Sequence, residues 1–296
     1  MKNNGVEIED TFAEAFPMWG SRLIITALNE RWAMTAAQVA TGFGTSIIGC
    51  GCEAGIESVL PPEQTPDGRP GVKVLFFTMS KDDMEKRLLT RIGQCIMTTP
   101  TSACYNGLMA EKKVKVGGKL RFFGDGYQSS KLFNGRRLWR IPVMDGEFVV
   151  EESFGIQEAV GGGNFLILAE SQEAALAAAE AAILAMQPVA GVIMPFPGGI
   201  VRSGSKTSSI YKGQYVSTNT SYCPTIRRLV DSALPPGVNA VMEIVLDGLT
   251  EDTIRQATKL GVQAACMSGV IRITAANYGG SLGKYQFHLH EILGGV

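Results

Sequence analysis

Four segments of the chain share one hydrophobic pattern, in which an apolar run is followed by a polar cap residue and then by apolar positions at helical spacing. The apolar runs are SRLIITA, VKVLFFTM, NFLILAE and VMEIVLDGL. Ser80 and Thr250 stand at the caps after the second and fourth runs, and acidic residues follow each of them in the first helical turn. The pattern predicts four strand–helix units, two in each half of the chain.

The two halves align when Ser80 is placed opposite Thr250, which indicates an internal duplication. Two such units per half predict an α+β fold of two ferredoxin-like (split βαβ) lobes, residues 1–148 and 149–296, with mainly antiparallel sheets flanked by helices. A doubly wound sheet is the competing arrangement. We favour the split form because further strands, predicted in KLRFFGDGY and RRLWRIPVM, interrupt the alternation of strands and helices.

Two long stretches rich in glycine and proline, residues 51–71 and 195–236, are predicted to be irregular. Irregular segments longer than about 12 to 15 residues in a compact protein are usually functional or disordered, and the motif-like detail of these two favours ligand surfaces. The second contains the segment PFPGGIVRSGSK, with Gly198, Gly199, Arg202 and Lys206. Two cations beside backbone N–H groups suit a carboxylate, a phosphate or an oxyanion, whereas the alternative is a solvated loop.

One acidic residue stands out in the predicted strand VMEIVLDGL. Strand alternation places Val241, Glu243 and Val245 on one face, so a single carboxylate interrupts an apolar surface. Burial there would raise the pKa of Glu243 and suit it to general acid or base chemistry near neutral pH. The alternative is a glutamate exposed at the edge of a sheet.

Three further charged residues, Asp67, Arg69 and Asp125, lie in the glycine-bounded turns TPDGRPG and FFGDGYQ. Asp and Gly are common in turns for conformational reasons. A structural role in turns and a role in ligand binding therefore both stay open for these residues.

The composition excludes several classes of protein. The 296 residues include 27 Lys and Arg against 28 Asp and Glu, and a net charge of −1 gives no electrostatic reason to expect nucleic acid or an anionic membrane as a partner. No apolar run approaches the ~20 residues that span a bilayer, and the N-terminal MKNNGVEIEDTF does not resemble a signal peptide. Six cysteines without a secretion signal are expected to be reduced thiols in a cytosolic protein.

Other catalytic and metal chemistries have little support. The glycines of AVGGGNFLIL precede a strand, whereas phosphate-binding fingerprints follow one. Cys50 and Cys52, and His288 and His290 on one face of a predicted terminal strand YQFHLHEI, lack the spacing of structural zinc sites, which favours buried thiols over metal binding. These two histidines are the only ones, so a His-based triad is disfavoured, and acyl chemistry would proceed by direct attack in a ternary complex.

A collinear series of short motifs extends along nearly the whole chain. They are NGVEIEDTFAEAF, ATGFGTS, EAGIE, TPDGRPG, RIGQC, FFGDGYQ, GGNF, PFPGGIV, SGSK, STN, EIVLDGL and NYGGSLGKYQFHLHEI. This series resembles the formylmethanofuran–tetrahydromethanopterin formyltransferases. The segments CGCEAGIE and VRSGSK look like the bacterial members found in methylotrophs, where the homologue is the transferase subunit of a formyltransferase/hydrolase complex.

The resemblance implies a cytoplasmic acyltransferase of two ferredoxin-like lobes that assembles as a homodimer or homotetramer. It implies formyl transfer between a methanofuran- or methylofuran-type amine and N5 of tetrahydromethanopterin, with both carriers as co-substrates and no metal or prosthetic group. Glu243 matches the family's acid and is expected to be catalytic. The substrate-binding residues expected from the resemblance are Asp67, Arg69, Gln94, Asp125, Phe196, Gly198, Gly199, Arg202, Ser205, Lys206 and Asn277.

Two other functions stay open at this point. Split βαβ lobes also serve small-molecule regulation, so the chain could be a non-catalytic pterin-binding or scaffold subunit. Direct hydrolysis of the formyl group is a less favoured hypothesis, because the sequence shows neither a metal site nor a catalytic triad.

Overall fold

The structure is a computed structural model that describes residues 1–204 and 206–294. The strands are β1 (Lys2–Asn3), β2 (Val6–Ile8), β3 (Phe12–Thr26), β4 (Glu53–Leu60), β5 (Gly71–Thr78), β6 (Ala103–Asn106), β7 (Lys113–Val114), β8 (Ser129–Phe133), β9 (Arg136–Val143), β10 (Gly146–Glu151), β11 (Phe154–Gly155), β12 (Gln157–Ala169), β13 (Val192–Ile193), β14 (Ala240–Gly248), β15 (Val270–Thr274) and β16 (Tyr285–His288). The helices are α1 (Glu30–Thr41), α2 (Ile47–Cys50), α3 (Lys81–Arg91), α4 (Val116–Leu120), α5 (Gln172–Met186), α6 (Glu251–Ala265) and α7 (Leu289–Leu293).

The N-terminal lobe is built on four antiparallel strands in the order β6–β3–β5–β4. Helix α1 connects β3 to the β4–β5 hairpin, and α3 connects β5 to β6. Each connection therefore skips over one strand, which is the split βαβ arrangement. The two helices pack on one face of the sheet, where Phe76, Met84 and Leu88 are fully buried. Strands β10, β9 and β8 extend this sheet beyond β6.

The C-terminal lobe repeats the same topology. Its strand order is β15–β12–β14–β13, with α5 and α6 as the two crossing helices. The inward faces of the strands and helices form the largest core cluster, in which Phe165, Ile244 and Ile254 are fully buried. The prediction of two duplicated ferredoxin-like lobes is thereby confirmed, and the doubly wound alternative is wrong.

One continuous sheet joins the two lobes. Strands β3 and β12 pair antiparallel from Gly20 opposite Gln157 to Phe16 opposite Gly161. The start of the chain also completes the C-terminal lobe, because β2 pairs with β15 and the first part of β3 pairs with β16. The division of the chain at residue 148 stays a prediction.

The helix starts follow the predicted caps. Ser80 and Thr250 accept hydrogen bonds at the N-termini of α3 and α6, and Ser171 does so at α5. Asn29 caps α1 in the same way. A side-chain acceptor at this position satisfies an N–H group that has no partner within the helix, which is why a helix begins where the apolar run ends. Among the described residues, no helix is long and apolar enough to cross a membrane.

Two predicted secondary-structure segments are wrong. KLRFFGDGY is not a strand: α4 continues into a short 3₁₀ turn, Arg121–Gly124, which ends at Asp125 in the left-handed conformation with φ 51°. A side chain at Gly117 would overlap the Glu151 carbonyl, so the helix lies directly against β10 and leaves no space for another strand. Residues 51–71 are not wholly irregular either, because seven of the eight residues of β4 pair with β5, with a bulge after Ile56.

The terminal histidines lie on different elements. His288 ends β16, whereas His290 belongs to α7, so the two side chains do not share a strand face as predicted. The ring of His290 lies 2.9 Å from the Ile8 carbonyl oxygen and 3.0 Å from the N-terminal amine. Within residues 1–204 and 206–294, no group of three or more His, Cys, Asp or Glu side chains could hold a metal ion.

Candidate active site

Strand β14 separates two environments in the C-terminal lobe. Ile244 and Leu246 point into the core beneath α5 and α6. Glu243 points to the opposite face, beside Leu166 of β12, which lies directly across the ladder. The long loop after β13 covers this second face, and it leaves only 7% of Glu243 exposed. The sequence prediction of a buried acid on this strand face is therefore confirmed, but Glu243 is not the only carboxylate there, because Asp247 lies on the same face.

The covering loop pairs with the strand at Glu243 itself. The Val201 N–H donates to the Glu243 carbonyl at 2.8 Å, and the Glu243 N–H donates to the Val201 carbonyl at 3.0 Å. A cavity of about 40 Å³ lies between the loop and the sheet. The side chains around it are those of Leu166, Val201, Arg202, Ser203, Asn219, Tyr222, Cys223, Val241 and Glu243. The carboxylate is thus held at the wall of a small, partly apolar cavity.

Burial raises the pKa of Glu243 to about 7. Removing a carboxylate from water disfavours its charged form, and no hydrogen-bond donor among the described residues offsets this cost. An acid with a pKa near the working pH is populated in both protonation states. Glu243 is consequently suited to accept and return one proton.

Tyr222 is the polar aromatic residue of the same cavity. Its hydroxyl forms a hydrogen bond with Thr274 of β15, and burial raises the pKa of the phenol. Thr274 pairs with Leu166, which in turn pairs with Glu243. The phenol therefore lies over the strand face that carries the acid, and it stays neutral at physiological pH. No motif in the sequence indicated this residue.

The glycines of PFPGGIV form a tight turn. Phe196 precedes the 3₁₀ turn Pro197–Gly199, and the Gly199 N–H donates to the Phe196 carbonyl at 2.8 Å. Gly198 and Gly199 have φ values of 62° and 83°, which glycine adopts without strain. A Cβ at Gly199 would also overlap Ile183 of α5. The turn directs the chain from the end of β13 across the face that holds Glu243.

The two predicted cations have different surroundings. Arg202 is exposed and lines the cavity of Glu243. Lys206 is half-buried; its amine donates to the Thr220 hydroxyl at 3.3 Å, and its backbone pairs with Ser217. Ser205 lies outside the described residues.

Asp67 and Arg69 form one network in the N-terminal lobe. The Asp67 carboxylate accepts hydrogen bonds from Thr26 at 2.7 Å, Arg69 at 2.8 Å and Tyr105 at 3.1 Å. The guanidinium of Arg69 also donates to the Thr101 carbonyl at 2.6 Å. The network fixes the loop between β4 and β5 against β3 and β6.

Gln94 and Asp125 lie within three residues, along the chain, of residues that line a groove near that network. Gln94 is exposed on a π-helical turn after α3, and Asp125 is exposed at the end of the turn that carries Phe123. The groove has a volume of about 840 Å³ and is lined by Met97, Thr98, Thr99, Pro100, Phe123, Pro142, Val143, Met144 and Asp145. Asp145 accepts the Thr101 N–H at 2.7 Å, which links the groove to the network of Arg69.

The side chain of Asn277 is engaged within the chain. Its amide donates to Thr11 and to the Phe12 carbonyl at 3.1 and 3.0 Å. The loop that follows is organised by Glu14, whose carboxylate accepts backbone N–H groups from Tyr278, Gly280, Leu282 and Gly283. Burial is the largest single effect on Glu14 and raises its pKa, but the four hydrogen bonds together outweigh burial, so the pKa is lowered. Glu14 thus holds the Asn277 loop in place.

A pair of buried acids at the junction of the lobes was missed. Asp247 of β14 is fully buried near Glu53 of β4, and its Oδ2 atom has no other partner among the described residues; a hydrogen bond between the two carboxyls would satisfy it and requires one of them to be protonated. Burial raises the pKa of both groups, and the neighbouring Glu53 charge raises that of Asp247 further. The alternation that placed Glu243 on one face also places Asp247 there, so the signal was present in the strand.

The predicted site residues thus fall in two regions of one chain. Glu243, Arg202 and Lys206 lie in the C-terminal lobe, and no hydrogen bond among the described residues joins them to Asp67 or Arg69. Gln94 and Asp125 lie in the N-terminal lobe, as Asp67 and Arg69 do.

Comparison with known proteins identifies the family. The chain matches the family model described as "Formylmethanofuran-tetrahydromethanopterin formyltransferase" over residues 1–143 and the one described as "FTR, proximal lobe" over residues 146–292. The chain belongs to the formylmethanofuran–tetrahydromethanopterin formyltransferase family. A formyltransferase of this name from Methylobacillus flagellatus is 57% identical, over 98% of this chain and 99% of the relative. One from Methanopyrus kandleri is 52% identical, over 99% and 100%.

Two solved structures from this formyltransferase family superpose closely. The enzyme from Methanosarcina barkeri has a TM-score of 0.94 at 51% identity and covers 99% of this chain and 100% of its own. A chain of the formyltransferase/hydrolase complex from Methylorubrum extorquens, solved with methylofuran, has a TM-score of 0.97 at 46% identity and covers 100% and 99%.

Proposed function

We propose that this chain transfers a formyl group reversibly between the amine of a methanofuran- or methylofuran-type carrier and N5 of tetrahydromethanopterin. The observation that carries the proposal is Glu243, a buried acid with a pKa of about 7 at the wall of a cavity. Relatives at 57% and 52% identity are named as transferases of this specificity, which disfavours a non-catalytic scaffold.

The proposed reaction is a direct attack within a ternary complex. N5 of the pterin attacks the formamide carbon, a C–N bond forms, and the carbonyl oxygen becomes an oxyanion. Glu243 accepts the proton that the attacking amine loses and donates it to the furfurylamine nitrogen as the second C–N bond breaks. Positioning of the two carriers supplies much of the acceleration, and the reverse reaction uses the same proton in the opposite order.

Donors for the oxyanion and for the anionic groups of the carriers come from the loop that faces Glu243. The segment from Phe196 to Lys206 brings Gly198, Gly199 and Arg202 to this side of the sheet, and we assign Ser205 to the same role on the resemblance of its motif. A cation or a backbone N–H aimed at the developing charge stabilises the transition state more than the ground state. We assign Asp67, Arg69, Gln94, Asp125 and Asn277 to substrate binding on the resemblance of their motifs.

The separation of the two groups of residues favours an oligomer. A homodimer or homotetramer would bring the groove beside Asp125 of one copy toward the Glu243 cavity of another. We also propose association with hydrolase subunits in the cytoplasm, in the manner of the Methylorubrum complex. The two carriers act as co-substrates, and the proposed mechanism assigns no step to a metal or a prosthetic group.

The test is a formyl-transfer assay with the purified chain and the two carriers. Transfer that requires both carriers, and that is insensitive to a chelator, supports the proposal. Binding of the pterin without transfer would contradict it, and so would metal-dependent release of formate by this chain alone. A run with formylated methylofuran and one with formylated methanofuran would distinguish the furan carriers.

A further inference from the structure

Hydrogen-bond donors surround the thiol of Cys50 at the end of α2. The Thr45 hydroxyl lies 3.6 Å from the sulfur, and the nearby backbone N–H groups of Ser46 and Thr45 lower the pKa of the thiol. Cys50 is only half-buried, so a small reagent can reach it. Donors of this kind stabilise a thiolate more than a thiol, and the thiolate is the reactive form of cysteine.

A fixed guanidinium lies beside this sulfur. Burial is the largest single effect on the Cys50 thiol and raises its pKa. The donors described above and the charge of Arg91 together outweigh burial, so the pKa is lowered. Arg91 also acts on Cys52, where it partly offsets the effect of burial on the pKa of the thiol. Its own position is set by the carbonyl oxygens of Ala40 and Gly42, the latter at 2.8 Å. The cation therefore belongs to the fold and is not a mobile surface group.

A second guanidinium packs on the turn between the two cysteines. A Cβ at Gly51 would overlap the guanidinium of Arg87, so this group rests directly on the Gly51 backbone. The Arg87 Nε–H is buried and has no hydrogen-bond partner among the described residues. An unsatisfied buried donor is costly, about 1 to 3 kcal/mol. The charge of Arg87 acts on the Cys52 thiol, where it opposes the larger effect of burial and favours the thiolate.

The geometry of the turn suits a bond between the two sulfurs. Gly51 adopts the left-handed conformation with φ 69° and ψ 5°, which folds the chain between Cys50 and Cys52. Two Cα steps of about 3.8 Å, folded at Gly51, bring the outer Cα atoms toward the range of roughly 4.4 to 6.8 Å that disulfides require. The charge of Cys50 affects the pKa of the Cys52 thiol. The pKa of the Cys95 thiol, by contrast, is affected by the charge of Arg91 and not by that of Cys50.

We propose that Cys50 and Cys52 form a peroxide-sensitive thiol pair. The Cys50 thiolate attacks one oxygen of hydrogen peroxide; an S–O bond forms, the O–O bond breaks, and the released hydroxide takes a proton to become water. The Cys52 thiol then attacks the sulfenic sulfur of Cys50; the S–S bond forms, the S–O bond breaks, and a second water leaves. Peroxide is reduced by two electrons, and each sulfur is oxidised by one.

The two sulfurs have distinct parts in this scheme. Cys52 is fully buried and the pKa of its thiol is raised by burial, so it is shielded from peroxide and reacts only with the neighbouring Cys50. Cys50 is the entry point because it is reachable and surrounded by donors. An exposed, activated thiol next to a resolving thiol is the arrangement expected of a redox-sensitive site.

The test treats the purified full chain with hydrogen peroxide under native conditions, followed by alkylation and peptide mapping. We expect a Cys50–Cys52 disulfide that dithiothreitol reverses. Cys52→Ser should leave a sulfenic acid on Cys50, which dimedone traps, and Cys50→Ser should show neither the disulfide nor an adduct at position 52. Cys95→Ser is the matched control and should oxidise like the wild type.

The rate comparison makes the proposal quantitative. Cys223 is also half-buried, so it controls for access. Alkylation at neutral pH should be at least about tenfold faster at Cys50 than at Cys223, because the donors and the Arg91 charge beside Cys50 favour the reactive thiolate. Equal rates at the two positions, or a disulfide between Cys50 and Cys95, would overturn the proposal. None of these measurements depends on formyl transfer, so they stand apart from the proposed function.

Discussion

Replacing Glu243 with glutamine tests the proposed proton transfer with a minimal change in shape. The amide fills the same volume on β14 and keeps the backbone pairing with Val201, but it cannot accept the proton of the attacking amine. General acid–base catalysis by a positioned side chain contributes about 10² to 10⁴ in rate. We therefore expect turnover to fall by that factor, or about 3 to 5 kcal/mol in activation free energy.

The structure supplies a second, independent magnitude for the same variant. Burial raises the pKa of Glu243 from 4.5 to about 7, which makes the ionised form of the folded protein less stable by about 3 kcal/mol. For an acid whose pKa is raised on folding, the free energy of unfolding is highest below the unfolded pKa and falls as the pH rises through the folded value. The wild type should lose up to about 3 kcal/mol over this interval, and Glu243→Gln should lack that loss.

The assay follows formyl transfer between the two carriers by chromatography as a function of pH. In the wild type, kcat/KM should rise with pH through about 7, because the free enzyme must present an ionised Glu243 to accept a proton. Glu243→Gln should lose this limb while KM for each carrier changes little. A variant that turns over within about tenfold of the wild type, or that keeps the same pH limb, would refute the assignment.

Three further predictions concern the site and the lobe junction. Asp247→Asn should reduce the fall in unfolding free energy that begins as the pH rises above about 4, the ordinary Asp pKa, because the raised pKa of Asp247 makes its ionisation destabilising. Urea unfolding at a series of pH values measures this. Gly199→Ala should destabilise the fold by about 1 to 3 kcal/mol, since a Cβ there combines a φ of 83° with overlap of Ile183, whereas Gly198→Ala, with open space at φ 62°, should cost less in the same denaturation assay. Arg202→Ala should raise KM for the furan carrier several-fold and leave kcat nearly unchanged, if its charge binds the carrier tail; steady-state kinetics on each carrier separate the two effects.

The duplicated topology was predictable because its signals are local. Ser80 and Thr250 combine a cap, an acidic first turn and a following apolar face, and each of these depends on residues within one or two turns of the chain. The strand β4 escaped prediction because EAGIESVL alternates poorly and contains a bulge, so its pairing with β5 decides its structure. Long-range hydrogen bonding of this kind has no counterpart in a local pattern.

The acid of the site was predictable in the same local way, whereas its surroundings were not. Alternation in VMEIVLDGL placed Glu243 on one face with Val241 and Val245, and the structure shows that this face points away from α5 and α6. The cover over that face comes from a loop of irregular structure, in which Val201 pairs with Glu243 and Tyr222 reaches Thr274. Such a loop has no repeating period, so the sequence indicated that it has a function but not which of its side chains face the acid.

The two acids of β14 show why burial alone does not define a catalytic residue. Glu243 and Asp247 share one strand face, and burial raises the pKa of both. Asp247 is fully buried near Glu53 and accepts the Gly162 N–H at 3.0 Å, so it is enclosed within the lobe junction and is out of reach of a substrate. Glu243 has no such partner among the described residues and faces a cavity. Burial therefore raises the pKa of both carboxyls, but only Glu243 is placed to exchange a proton with a substrate. Asp247 has a structural role at the lobe junction.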